Sequence, residues 1–157
     1  MHSDQQRPWQ TFSVDAMLED EWLERLNGLK CFDLISICQG HADAPEDHPR
    51  RRPHFNLRLK DEFAEALIND RVQVKDRISE ILDRAFETAH TVAYFEIRTG
   101  FIKDKKGVAA QDIVLLKVSR HTDLLKDPPT DPLGSWFDEN VAAAENFDVG
   151  FESINVE

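Results

Sequence analysis

Residues 54–60, His-Phe-Asn-Leu-Arg-Leu-Lys, alternate without a break, so that Phe55, Leu57 and Leu59 fall on one side of an extended chain and His54, Asn56, Arg58 and Lys60 on the other. A strand of this kind has one face for a core and one for water. It argues for a sheet covered on a single side and against an all-helical bundle or a parallel sheet buried between two helical layers.

The surrounding text supplies the cover. In Ser-Val-Asp-Ala-Met-Leu-Glu-Asp-Glu-Trp-Leu-Glu-Arg-Leu-Asn-Gly (13–28), Val14, Leu18, Trp22 and Leu26 recur every four residues, with Ser13 placed to cap a helix and Gly28 to end it. Residues 31–38 (CFDLISIC) read as an interior strand with two apolar faces. Phe63, Leu67 and Ile68 open a helical region whose apolar stripe is Ile78, Ile81, Leu82, Ala85, Phe86 and Ala89, with a break at 69–74 (NDRVQV). Two further strands, 91–102 and 111–120, are joined across the turn Lys-Asp-Lys-Lys-Gly. The order α-β-β-α-β-β predicts an α+β fold: a mostly antiparallel sheet of about four strands with helices packed on one face, followed by an acidic C-terminal tail.

At 157 residues with ten phenylalanines the chain suits one core. The expected division is an α+β domain over 1–121, a Pro-rich linker over 122–134 and an acidic aromatic tail over 135–157. Trp136, Phe137, Phe147 and Phe151 are costly to leave in water, so the tail is expected to dock on its own domain or on another molecule. Charge sharpens the division: from Thr122 onward there are nine acidic residues and one basic, against 21 acidic and 18 basic before it. Arg50 to Lys60 holds five Arg or Lys and no acid, a natural counter-charge for the tail and for anionic ligands.

No apolar run reaches the roughly 20 residues needed to cross a bilayer, and the start lacks the apolar core of a signal peptide, which predicts a cytoplasmic protein with no membrane association. Cys31 and Cys38, at opposite ends of one strand, would lie about 23 Å apart and cannot pair.

Between the first two strands, residues 38–60 concentrate groups able to bind metals, anions or protons. Cys38, His41, His48 and His54 have the donor types for a zinc ion, though the spacing fits no standard finger. Cys38 at a strand end followed by Gly40 suits a nucleophile, with His41 or His54 as its base; packing of a buried thiol is the alternative. Arg50, Arg51 and Arg52 offer planar forks for phosphate or carboxylate, or form a solvated charge patch. If the apolar sides of the strands meet the helices, His54, Asn56 and Arg58 share the opposite face with Glu96 and Arg98, with Lys117 and Ser119 as neighbours. There they orient a polar substrate and move a proton, or form cross-strand ion pairs on a wet face.

Two functions follow as expectations. One is binding, and in its catalytic form processing, of a phosphate-bearing small molecule, nucleotide or nucleic-acid end, with Cys38, His41, His54 and Glu96 in catalysis and Arg50, Arg51, Arg52, Asn56, Arg58 and Arg98 holding the ligand. The other is a non-catalytic regulatory or immunity-type protein that meets a basic protein partner through residues 135–157. Over five residues, Ser-Ile-Cys-Gln-Gly is similar to the Ser-x-Cys-x-Gly core of a motif in wybutosine tRNA-modifying enzymes. His41 stands where that motif has arginine, and neither activity nor site is carried over.

Overall fold

The structure, a computed structural model, describes residues 6–10, 12–15, 18–40, 52–64, 73–87, 91–120 and 133–156. The calls on His41, His48, Arg50 and Arg51, on Leu67, Ile68 and Ala89, and on the linker up to residue 132 lie outside the described residues. The chain is α+β, built on a four-stranded antiparallel sheet of order β3-β4-β6-β5, with β3 at Phe32–Cys38, β4 at His54–Leu59, β5 at Thr91–Asp104 and β6 at Gly107–Arg120. Helices α1 (Asp20–Asn27), α2 (Gln73–Ala85) and α3 (Leu133–Val156) accompany it.

The N-terminal stretch departs from expectation. Residues Gln6–Trp9 (β1) and Phe12–Asp15 (β2) form an antiparallel hairpin, with Gln10 in the turn at φ 54°, as a tight hairpin turn requires. Helix α1 therefore begins at Asp20, not near Ser13, and its N-cap is Glu19 without a side-chain cap. Val14, Leu18 and Trp22 are all buried, as the four-residue spacing implied, but from a strand, a connection and a helix. Arg7 ties the hairpin to α1, bonding the Leu18 carbonyl and pairing with Asp20 at 2.7 Å.

β4 carries the alternation that the sequence announced. Phe55, Leu57 and Leu59 are at most 1% exposed, while His54, Asn56 and Arg58 are half-buried. β3 is an edge strand rather than an interior one. Its pairing with β4 shifts between Leu34 and Ser36, a bulge that leaves Ile35 53% exposed, so the apolar run does not have two buried faces. β5 and β6 are longer than the sequence suggested, running to Asp104 and from Gly107; Gly107, at φ +119°, supplies the backbone conformation that closes the turn.

The acidic C-terminal segment is the 24-residue helix α3, and it is central to the core. Trp136, Phe137, Phe147 and Phe151 are at most 2% exposed. Trp136 lies 6.1 Å from Phe55, Phe137 stacks on Trp22 at 4.8 Å, and Phe32 meets both Phe147 and Phe151, all between ring centroids. Three of its acids meet α1 and the residues just ahead of β3. Asp138 accepts a hydrogen bond from Trp22 Nε1 at 2.7 Å, Glu145 pairs with Arg25, and the buried Asp148 accepts from the backbone N–H groups of Lys30 and Cys31 at 2.9 and 2.8 Å. Asp148 thus satisfies two donors just ahead of β3, locking the helix to the start of the sheet.

Candidate functional site

Because α1, α2 and α3 occupy one side of the sheet, the register decides which side chains share the other. Cross-strand partners point the same way, and three rows result. The first is Cys38, His54, Ser119 and Val92; the second is Ser36, Asn56, Lys117 and Tyr94; the third is Asp33, Arg58, Leu115 and Glu96, with Arg98 beyond it on β5.

The first row brings together the two groups read as nucleophile and base. Cys38 and His54 are direct cross-strand neighbours. The His54 Nδ1 lies 2.8 Å from the Arg52 carbonyl, which can only accept, so Nδ1 carries the proton and Nε2 is the basic nitrogen of the neutral ring. The Gly40 N–H points at Cys38 Sγ from 3.4 Å. Gly40 is at φ +87°, and a Cβ there would stand 2.8 Å from the Pro53 nitrogen, so only glycine lets the chain leaving β3 close onto the start of β4. Cys38 is 9% exposed and in no disulfide.

In the second row Asn56 Nδ2 donates to Ser36 Oγ at 2.7 Å, Lys117 stands alongside, and Tyr94, the chain's only tyrosine, is 47% exposed. The third row is electrostatic. Glu96 is held by Arg98 at 2.9 Å and Lys117 at 2.8 Å, and these hydrogen bonds, the one from Arg98 foremost, lower its carboxyl to about 2. A carboxylate so firmly ionised is suited to charge pairing rather than proton exchange near neutral pH. Arg58 pairs with Asp61 at 3.1 Å.

The residues expected to act together are thus spread over a face. Cys38, His54, Asn56 and Arg58 adjoin one another on β3 and β4, whereas Glu96 is three strands and two rows from Cys38, about 20 Å by strand geometry. Arg52 borders the first row through its carbonyl. Of the zinc donors, Cys38 and His54 are neighbours; among the described residues no three His, Cys, Asp or Glu side chains gather as a metal site would require. The exposure of Tyr94 was not anticipated, because an aromatic in an apolar run reads as core; the alternation of Ala93 and Phe95 on the covered side was the available signal. A cleft of about 520 Å³ between α2 and α3, lined by Arg77, Ile81, Arg84, Asn146, Gly150 and Ser153, was also not anticipated.

Among the described residues no helix is long and apolar enough to cross a membrane. Comparison of the chain with protein-family models, curated proteins and solved structures finds no match in any of the three.

Proposed function

We propose that the chain binds a phosphate-bearing ligand with a planar base, a nucleotide or a nucleic-acid end, on the open face of its sheet. The observation that carries this reading is the second row: a hydrogen-bonding amide (Asn56), a cation (Lys117) and a half-exposed aromatic ring (Tyr94) in one line across three strands. Bases stack on exposed aromatic rings of sheets whatever their identity, and neighbouring cations track the phosphate. Lys117, Arg58 and Arg98 supply positive charge, with Glu96 orienting two of them. The expectation that Arg50, Arg51 and His41 also meet the ligand belongs to the same proposal and rests on the sequence alone.

In the catalytic form of this function Cys38 is the nucleophile and His54 the base, since they are cross-strand neighbours and the His54 tautomer leaves Nε2 as proton acceptor. Glu96 has no part in that proton transfer. The reading of residues 135–157 as a partner-binding tail has less support, because their four aromatics are committed to this chain's own core.

Binding of nucleoside monophosphates and short single-stranded oligonucleotides at low salt tests the proposal. Tyr94→Ala is expected to weaken binding by about 1–3 kcal/mol, and Lys117→Ala to lower both affinity and salt dependence. If the intact protein binds neither class of ligand at low salt, the proposal fails.

A further inference from the structure

The four-stranded sheet has two edges, and they differ in how they are protected. At β3 the bulge between Leu34 and Ser36 breaks the row of backbone groups that a further strand would need. β5, the other edge, pairs with β6 at every position from Thr91 to Asp104 without a shift and contains no proline, and no other described strand pairs with it. Side chains on both its faces are open: Tyr94 on one, and on the other Ile97, 50% exposed although it has the parity of the covered-side Ala93 and Phe95. A long, flat edge of this kind is a template for another strand.

β5 also runs on past the rest of the sheet. The pairing of β4 with β6 ends at Arg58 and Leu115, and Leu115 faces Glu96. From Ile97 and Val114 to the turn, β5 and β6 therefore continue as a ribbon of two strands. Such ribbons are marginal in water, and this one includes Phe101, Ile102, Val108 and Ile113, of which Val108 is 66% exposed. A third strand would complete it.

The sequence of β5 is complementary to itself. Antiparallel pairing of two copies about a two-fold axis normal to the sheet opposes residues of like parity, so the axis falls at a single residue. An axis at Glu96 or Arg98 sets like charges face to face, which is unfavourable, and an axis at Phe95 or Thr99 leaves both charges opposite uncharged residues. At Ile97, Glu96 meets the partner's Arg98 and Arg98 meets the partner's Glu96. The same register sets Val92 opposite the partner's Ile102, Ala93 opposite the partner's Phe101, and Tyr94 opposite the partner's Gly100, where an aromatic side chain can cover the bare glycine backbone. We propose that two copies of the chain pair through β5, with Ile97 against the partner's Ile97, joining their sheets into one continuous sheet in which each ribbon gains the partner's strand as its third. The pairing uses the edge of the sheet and does not rest on the nucleotide reading of its open face.

Sedimentation velocity of the full chain across a dilution series reads the association directly. A monomer–dimer equilibrium without larger species is expected, because a two-fold interface closes on itself and the bulged β3 edge offers no second one. Ile97→Lys, at an exposed position, sets two like charges together at the axis and should weaken the dimer about tenfold or more while circular dichroism stays that of the parent. Exchange of charge tests the register. Glu96→Arg alone and Arg98→Glu alone each place like charges opposite one another and should weaken association about fivefold, whereas Glu96→Arg/Arg98→Glu should restore it. Should Ile97→Lys not fold, the charge variants carry the test. A monomer at every concentration, an open-ended series of larger species, undiminished association in folded Ile97→Lys, or single charge variants that the double variant does not rescue would each overturn the proposal.

Discussion

The two faces of β4 are made from the same six residues, yet one is a core and the other a surface of polar and charged groups. Phe55, Leu57 and Leu59 lie under aromatic and aliphatic side chains from three helices, whereas His54, Asn56 and Arg58 look across to Ser119, Lys117 and Leu115 on a side that no described helix covers. Parity alone separates them. The lesson is that the long C-terminal helix, acidic and aromatic, consumes its apolar residues on the first face and thereby leaves the second available for chemistry.

Substitutions on the covered face are therefore expected to change stability and those on the open face to change binding. Phe147→Ala removes a fully buried ring that meets Phe32, Phe86 and Phe95, and is expected to cost about 3–5 kcal/mol in denaturant unfolding while leaving the open face unaltered in whatever protein remains folded.

Next in size is an alkaline effect on the same side. Burial, aided by Asp148, pushes the Cys31 thiol up from 9.0 to about 12. The folded state keeps a proton that the unfolded chain releases, so stability is intact below about pH 9 and falls as pH rises toward 12, by at most on the order of 4 kcal/mol. Cys31→Ala should flatten that slope relative to the parent protein. An unchanged slope would show that the thiol is not held neutral by the core.

Asp148→Ala strips the acceptor from the Lys30 and Cys31 N–H groups and is expected to cost about 1–3 kcal/mol. The smallest stability effect belongs to the open face. Glu96, lowered to about 2, contributes stability above its ordinary value of 4.5 that is lost as pH falls toward 2, so Glu96→Gln should lower stability slightly above pH 4.5, flatten the fall between about 4.5 and 2, and leave stability below that range unchanged. Because its ion pairs face solvent, added salt should shrink the difference; a large loss at neutral pH and high salt would mean that the face carries structural weight.

How far this arrangement was legible in the sequence varies by element. The alternation in β4 was plain because each residue type matches its side. The start of α1 was misread because burial at Val14, Leu18 and Trp22 has helical spacing although Val14 belongs to a hairpin. β3 was taken for an interior strand because a bulge cannot be seen in a run of apolar residues, and the bulge turns Ile35 outward. In α3 the signal was present, with Trp136, Asn140, Ala144, Phe147 and Phe151 falling on one helical stripe. The aromatics announced docking; the single helix and the pairing of Asp138, Glu145 and Asp148 with residues 22–31 did not show, because those contacts join residues far apart in the chain. For the site, shared strand parity was readable; the distance between Cys38 and Glu96 was not, because it follows from the strand order, which local pattern does not specify.

The central claim, that the open face is the ligand surface, is tested most directly by mapping backbone and side-chain NMR shifts during titration with a nucleoside monophosphate at low salt. The account predicts saturable changes centred on Asn56, Tyr94 and Lys117, reaching His54 and Arg58, and lost in Tyr94→Ala. Changes confined to the cleft between α2 and α3, or no changes at all, would contradict it.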